Sequence, residues 1–336
     1  MSERAFAVVR ALTPAVVTAG ILAVLPLFAT TGYDTGVFTT FCINLIILVG
    51  LNLLSGYGGQ LSMGQAAFYG IGAYTITIGS VKHGLDPVLA FFLAPVVAAA
   101  FAILVGLPSL RLRGLYFAMA TLGVGVIFEQ FLDRATNVTS GPNGLGLAPV
   151  KVLGIDFSNP RAVYAAAAVI AWIGVVAAQL FLRTHAGWGL RAAAASEPAA
   201  AVVGVNTYGV RLVVLGISGA YAGIAGGLEA FNSLYVSPST FNFFFSVLLF
   251  IVLTIGGMAS WSGPLFGAAL LLVFDRWLSA YSQQEPIILA AIFVICLRVF
   301  PRGIGQTVEA FVGETFRRLV RSRPAATPPE GEAEAA

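Results

Sequence analysis

Residues 35–81 read TGVFTTFCINLIILVGLNLLSGYGGQLSMGQAAFYGIGAYTITIGSV and contain no Asp, Glu, Lys or Arg. A helix crosses the hydrocarbon core of a bilayer with about 20 residues, so this run is too long for one crossing. The glycine-rich break SGYGGQ (55–60) lies where a turn between two spans is needed. The charge-free run 230–274 divides in the same way at GGMASWSG (256–263). Each run therefore predicts two membrane helices and a turn.

The overall composition points to the same class. Hydrophobic residues make up 58% of the 336 residues and charged residues only 10%, whereas soluble domains carry about 25% charged residues. A soluble protein of this composition would expose large apolar patches. The 38 glycines suit closely packed membrane helices.

We predict an all-α, polytopic membrane protein with ten transmembrane helices. The first uncharged run, 11–33, is longer than the apolar region of a signal peptide, which has about 7–15 residues, so we expect a retained span. The ten spans are placed at about 11–31, 37–55, 62–81, 87–108, 114–132, 161–182, 211–231, 243–259, 263–281 and 285–300.

The basic residues predict the orientation, because cytoplasmic loops carry an excess of Lys and Arg. With the N-terminus inside, the inner side carries Arg4, Arg10, Arg111, Arg113, Arg183, Arg191, Arg211, Arg298, Arg302, Arg317, Arg318, Arg321 and Arg323. The outer side carries Lys82, Arg134, Lys151 and Arg161. An even number of spans then places both termini in the cytosol.

The chain divides into a transmembrane domain, residues 1–300, and a cytosolic end, residues 301–336. The domain contains an external loop at 133–160 and an internal loop at 183–210. The cytosolic end begins with an amphipathic segment, and its Pro/Ala/Glu tail, 324–336, is expected to be disordered.

Polar side chains interrupt the apolar helices around the first glycine break. Ser62, Gln65 and Tyr69 fall at i, i+3 and i+7, which places them on one face of the predicted helix 62–81. Unpaired polar groups are costly in hydrocarbon, so they must face protein or a wet cavity. Two interpretations stay open: a substrate pathway, or hydrogen bonding between closely packed helices. The candidate pathway set is Asn52, Ser55, Gln60, Ser62, Gln65 and Tyr69.

The internal loop reads LRTHAGWGLRAAAASEPAAAVVGVNTYGVRL (182–212) and is too polar to span the membrane. Proline is best tolerated in the first turn of a helix, so Pro198 predicts a short helix that starts there, with another turn at 190–195. Gly204 is expected to end that helix. Its many alanines and valines favour docking to a cytosolic partner over a solvated connector.

Gly219, Gly223 and Gly227 lie at i, i+4 and i+8 of the seventh predicted helix. This small-xxx-small ridge predicts close packing against a neighbouring helix.

Catalytic motifs are missing from the sequence. It contains no GxxxxGK[ST] phosphate-binding loop, no HExxH and no GxSxG. We therefore predict that the chain is not an enzyme, cannot bind ATP through a phosphate-binding loop, and binds no metal or cofactor. An intramembrane enzyme is disfavoured, and a self-sufficient secondary transporter or channel stays open as an alternative.

The chain resembles the LivM-type permeases of branched-chain amino acid ABC transporters over about residues 35–305. The matching segments are GYGGQLSMGQAAFYGIGAY (56–74), LRGLYFAMATL (112–122), TSGPNGL (139–145), GLRAAAASEPAAAVVGVN (189–206) and LRVFPRGI (297–304). The resemblance implies a multi-pass protein of the plasma membrane (the bacterial inner membrane), surrounded by lipid and without a role for nucleic acid. Its implied partners are a second permease subunit, two cytosolic ATP-binding subunits and an external solute-binding protein.

The resemblance also implies roles for two loops. Contact with the ATPase would involve Arg191, Glu197, Ala199, Ala200, Gly204, Val205 and Asn206. The external loop would act through Gly141, Asn143 and Gly144. The implied substrate is a branched-chain or other hydrophobic amino acid, but relatives of this family also import urea, short amides and aromatic acids.

Overall fold

The structure is a computed structural model, and it describes residues 3–28, 31–112, 114–148, 151–152, 155–157, 159–278, 298 and 303–309. Within these ranges the α-helices are α1 (Glu3–Val24), α2 (Gly32–Leu51), α3 (Gln65–His83), α4 (Pro87–Ser109), α5 (Leu115–Arg134), α6 (Thr136–Thr139), α7 (Pro160–Phe181), α8 (His185–Ala195), α9 (Glu197–Val202), α10 (Thr207–Ser233), α11 (Phe243–Gly256) and α12 (Gly263–Leu278).

Short irregular elements join these helices. A π-helical turn (Asn52–Tyr57) continues α2, and 3-10 turns lie at Leu25–Phe28, Gly141–Asn143 and Pro238–Phe241. The described strands are β1 (Leu145–Gly146), β2 (Lys151–Val152), β3 (Ile155–Asp156) and β4 (Tyr235–Val236). They form two antiparallel pairs, β1 with β4 and β2 with β3. The fold is otherwise helical, as predicted.

Local sequence signals set where several helices begin. Thr31 and Asp34 form a reciprocal capping box at the start of α2. Asp86 accepts a hydrogen bond from the backbone nitrogen of Val88 at 2.8 Å, and Pro87 occupies the first turn of α4. Proline lacks the backbone N–H that would be unpaired at this position, so it starts a helix without losing a hydrogen bond.

Five of the described helices are long and apolar enough to cross a membrane: Gly32–Tyr57, Pro87–Ser109, Leu115–Arg134, Pro160–Phe181 and Thr207–Ser233. They fall on five of the predicted spans. The helices α1, α3, α11 and α12 fall on four others. Helix α11 has 14 residues, so it is only about 21 Å long at 1.5 Å per residue, less than the hydrocarbon core of about 30 Å. The predicted span 285–300 and the tail 324–336 lie outside the described residues.

Helix α10 packs against α2, α3 and α4. A Cβ atom at Gly223 would lie 2.7 Å from the Cβ of Ala98 on α4, and one at Gly72 of α3 would lie 2.2 Å from the Gly223 carbonyl oxygen. Gly219 meets α4, and Gly227 meets both α3 and α4. Only glycine permits such close approach of backbones, so the predicted packing role of this ridge is confirmed.

The two glycine breaks, 55–60 and 256–263, lie against each other. Asn52 donates a hydrogen bond from Nδ2 to the carbonyl of Ser260 at 2.7 Å. Its Oδ1 accepts one from the backbone nitrogen of Ala259 at 2.9 Å. One amide side chain therefore ties the end of α2 to the turn between α11 and α12.

Residues 303–309 pack on the second break. Glu309 accepts hydrogen bonds through Oε1 from the backbone nitrogen of Ser262 at 3.1 Å and from its hydroxyl at 2.7 Å. Gln306 donates to the carbonyl of Met258. A carboxylate next to the N-terminus of α12 also has a favourable interaction with the helix dipole. This part of the C-terminal segment is therefore attached to the transmembrane domain.

Candidate functional site

The first break begins in the π-helical turn and continues as irregular, non-helical chain. Residues 58–64 follow the π-helical turn without helical structure, and α3 begins at Gln65. The predicted helix 62–81 therefore begins three residues later than expected. Ser62 does not share a helical face with Tyr69, which corrects the predicted stripe.

Helix α5 contacts the end of this irregular stretch. The backbone nitrogen of Met63 donates to the hydroxyl of Thr121 at 3.0 Å. A Cβ atom at Gly64 would lie 2.8 Å from the Thr121 carbonyl oxygen. The backbone just before α3 is thus held against α5.

Three of the predicted pathway side chains join helices to one another. Gln65 donates from Nε2 to the hydroxyl of Ser218 on α10 at 3.2 Å and to its carbonyl at 3.3 Å. Asn52 bridges the two breaks as described above. The Tyr69 ring packs edge-on against Phe241 with centroids 5.2 Å apart. These contacts favour the packing interpretation for these three residues.

The other three pathway candidates are buried polar groups with a different environment. Within the described ranges, Ser55 Oγ, Gln60 Oε1 and Ser62 Oγ have no hydrogen-bond partner. Ser62 is only 1% exposed. A buried polar atom without a partner costs about 1–3 kcal/mol. All three lie within residues 55–62, so buried polar atoms without a protein partner cluster along this short stretch of the chain.

The internal loop folds as two short helices in sequence. Helix α8 begins after Thr184, whose hydroxyl accepts from the backbone nitrogen of Gly187 at 3.2 Å. Helix α9 begins after Ser196, whose hydroxyl accepts from Ala199 at 3.4 Å, with Pro198 in its first turn. The predicted short helix at Pro198 is confirmed, and the second turn is the longer helix α8.

Gly204 ends α9 as predicted. Its φ is +84°, in the left-handed region that favours glycine. Its nitrogen donates to the Ala201 carbonyl, and the Val205 nitrogen donates to the Ala200 carbonyl, both at 3.0 Å. These two bonds form a Schellman motif.

The loop exposes a small apolar surface, which we call the coupling face: Trp188, Ala199, Ala201, Val202 and Val203. Val202 is 87% exposed, Val203 76% and Trp188 65%. Of these, the sequence resemblance had indicated only Ala199. Trp188, Val202 and Val203 were missed, although their apolar character in a polar loop was the available signal.

Several of the predicted coupling residues contact their own chain. Ala200 is buried. Glu197 pairs with Arg211 of α10 at 3.1 Å, and Asn206 accepts from the Gly209 nitrogen at 2.9 Å, which caps α10. The Glu197–Arg211 pair therefore joins α9 to α10, and the other two residues contribute to the fold of this chain.

Val205 and Arg191 also contact other residues of this chain. A Cβ atom at Gly189 of α8 would lie 3.3 Å from the Val205 Cγ1, so Val205 packs α8 against the start of α10. The guanidinium of Arg191 lies 5.1 Å from the centroid of the Tyr57 ring. Arg191 thus faces the first break, although its side chain is exposed.

The external-loop residues interlock with the turn after α10. Tyr235 donates from its hydroxyl to the carbonyl of Asn143 at 2.8 Å. Gly144 has a φ of +62°, and a Cβ atom there would lie 2.5 Å from the Val236 carbonyl oxygen. Gly141 is buried, with a φ of +59°. Both positions have a positive φ that favours glycine. Asn143 is exposed.

Comparisons with known proteins agree with this architecture. The LivM permease protein of the high-affinity branched-chain amino acid transport system from Salmonella typhimurium is 30% identical over 290 residues, which covers 79% of this chain and 68% of the relative. LivM from Escherichia coli K12 gives the same identity and coverage. LivH from Escherichia coli K12 is 24% identical over 282 residues, with 77% and 90% covered. No solved structure shows a significant match. The family model described as the permease component of the branched-chain amino acid transport system matches residues 35–298, and the chain belongs to this family.

Proposed function

We propose that this chain is the membrane-spanning permease subunit of an ATP-driven importer of branched-chain or other hydrophobic amino acids. The observation that carries the proposal is the coupling face: exposed apolar side chains on a short capped helix, outside the helices that could cross a membrane. An amphipathic helix of this kind docks in a groove of a partner protein. The chain's family membership supports a separate ATPase as that partner.

The assembly that we propose contains a second permease subunit, two cytosolic ATP-binding subunits and an external solute-binding protein. The chain would lie in the plasma membrane, as a bacterial inner-membrane protein, with ten spans and both termini in the cytosol. The internal loop 183–210 would then meet the ATPase, and the external loop 133–160 would meet the binding protein. The distribution of arginines supports this orientation.

The substrate pathway is proposed to run along the first break. Ser55, Gln60 and Ser62 support it, because each buries a polar atom without a protein partner. An amino acid carries a carboxylate and an ammonium group, and both need hydrogen bonds when they leave water. Alternating access would expose this stretch first to the outer side and then to the inner side.

The experiment replaces a residue of the coupling face with a charged one. Val202→Asp is expected to reduce recovery of the ATP-binding subunits with the permease by about ten-fold or more, as at an interface hot spot. Binding-protein-stimulated ATP hydrolysis and uptake of radiolabelled leucine into proteoliposomes should fall with it. The matched control is Val138→Asp, which changes an exposed valine of the external loop and should leave the ATPase bound.

Two outcomes would contradict the proposal. If the Val202→Asp variant still binds the ATPase and shows full uptake, the coupling face does not contact the ATPase. If uptake by the wild-type importer resists vanadate and needs no ATP, the chain is a self-sufficient transporter.

A further inference from the structure

Helix α8 of the internal loop contacts the first glycine break directly through its side chains. The guanidinium carbon of Arg191 lies 5.1 Å from the centroid of the Tyr57 ring and 5.9 Å from that of Trp188. Tyr57 is the last residue of the π-helical turn that continues α2. A cation over an aromatic face within about 6 Å is attracted by the ring quadrupole. Arg191 therefore connects α8 to the end of a transmembrane helix.

The next two residues of the break rest on α8 as well. A Cβ atom at Gly58 would lie 3.1 Å from the Leu190 Cδ1, and one at Gly59 would lie 3.4 Å from the Ala194 Cβ. Gly59 has a φ of +65°, which a residue with a side chain adopts only at a cost. The chain thus turns immediately on the surface of α8, and a shift of α8 must move these two glycines or open a gap.

The break then leads without interruption to the unpartnered polar atoms. Gln60 follows Gly59, and its backbone nitrogen donates to the Leu54 carbonyl at 3.2 Å, so its position depends on the π-helical turn. Two residues later the chain reaches Ser62, whose hydroxyl has no partner in the described ranges. Only a few residues separate the surface of α8 from the proposed pathway.

Helix α8 is well placed to receive movement from a partner. Trp188 of the coupling face is three residues before Arg191, so both lie on the same side of α8. Leu190 is buried and contacts Gly58 of the first break. Helix α8 therefore carries the exposed Trp188 within one turn of the residues that contact the first break.

We propose that the contact of α8 with residues 57–59 transmits the movement of the ATPase to the substrate pathway. In this proposal Arg191 is a positioning residue that acts on Tyr57, and it does not bind the ATPase. The inference rests on the proposed function, and it assigns the contact between α8 and the first break a role in regulating the same pathway. Loss of the contact should uncouple ATP hydrolysis from transport without releasing the ATPase.

The test compares Tyr57→Leu and Arg191→Leu with the wild type in the complete importer in proteoliposomes. The readout is the number of substrate molecules taken up per ATP hydrolysed, together with recovery of the ATP-binding subunits. Both variants are expected to keep the ATPase bound and to lower the ratio by about two- to five-fold, because an exposed cation–π contact is worth about that factor. The double variant should be no worse than either single one.

Tyr57→Phe is the matched control, because it keeps the aromatic ring and removes only the hydroxyl. It should keep the wild-type ratio. If Tyr57→Leu also keeps the wild-type ratio, or if Arg191→Leu alone releases the ATPase, the proposal is wrong. If Tyr57→Phe lowers the ratio as much as Tyr57→Leu, the cation–π contact is not the link.

These outcomes can be distinguished from a failure of the proposed function. If the proposed function is wrong, the wild-type importer itself shows no ATP-dependent uptake, and no ratio of substrate taken up per ATP hydrolysed can be measured. A functional wild type with unaffected variants overturns only the transmission contact.

Discussion

At the scale of single residues, the pathway candidates separate into side chains that join helices and side chains without a partner. Gln65 belongs to the first group through its bonds to Ser218. Gln65→Leu should therefore lower the thermal stability of the purified permease, because hydrogen bonds between membrane helices are worth about 0.6–2 kcal/mol. Uptake per assembled complex should change little.

Ser62→Ala is the matched comparison, since it removes a hydroxyl that bonds nothing in the described ranges. It should leave stability unchanged or raise it slightly, and it should lower leucine uptake per complex several-fold. Melting temperature and initial uptake rate, measured on both variants, decide between the two roles. Stable Gln65→Leu with poor uptake, or normal uptake with Ser62→Ala, would reverse the assignment.

The sequence indicated which polar side chains of this region need hydrogen-bond partners. It could not identify those partners. The cost of unpaired polar groups in hydrocarbon requires that Asn52 and Gln65 find partners. The partner atoms lie on helices far along the chain, such as Ser260 for Asn52, and only the tertiary packing brings them together. The role of Gly204 could be predicted from the sequence, because it follows a short helix and the conformation that ends a helix is a local property.

At the scale of helices, the crossing of α3, α4 and α10 depends on glycines. Gly223→Val should prevent this crossing, because its Cβ atom would approach the Ala98 Cβ to 2.7 Å and neither backbone can move away cheaply. Overpacking of a well-packed core costs about 1–3 kcal/mol or more. The expected result is a large loss of folded protein in detergent, measured by size-exclusion chromatography.

Gly123→Val provides the control for helix propensity. A Cβ atom at Gly123 of α5 would meet nothing within 4 Å, so the β-branched side chain adds bulk without a clash inside this chain. It should keep the yield of folded permease. Equal losses in both variants would show that valine disturbs the helix itself and not the crossing.

Helix boundaries were predicted within a few residues where a local cap sets them. Helix α4 begins at Pro87, as in the predicted span 87–108, because Asp86 caps it. Helix α3 begins later than predicted, after a non-helical stretch whose Met63 nitrogen bonds to Thr121 of another helix. Hydropathy reports only that this segment is apolar, so it cannot distinguish irregular chain packed on a neighbouring helix from a helix.

At the scale of the whole molecule, contacts between distant segments define two ends of the helical bundle. At one end, α8 meets the end of α2 through Arg191 and Tyr57, and the hydroxyl of Tyr208 donates to the Leu107 carbonyl of α4 at 2.8 Å. The internal loop 183–210 therefore lies at the end where α2 and α4 finish. This is the side that the arginines indicate as the cytosol.

The other end gathers the segments predicted to be external. Lys82 at the end of α3 donates to the Asn137 carbonyl. Glu129 near the end of α5 accepts from the Phe243 nitrogen at the start of α11 at 3.3 Å. The end of α3 thus meets the segment that follows α5, and the end of α5 meets the start of α11, as alternating crossings require. The contacts separate the two sides, and the charge bias indicates which side is inside.

A labelling experiment tests this orientation. In a background without Cys42 and Cys296, Asn143→Cys places a thiol on the exposed external loop, and Ala201→Cys places one on the coupling face. A membrane-impermeant maleimide added to intact spheroplasts should label the first and not the second, because only the first faces the outside. After permeabilisation both should react, which shows that Ala201→Cys is accessible. Labelling of Ala201→Cys alone in intact spheroplasts would invert the orientation and place the coupling face away from the cytosolic ATPase.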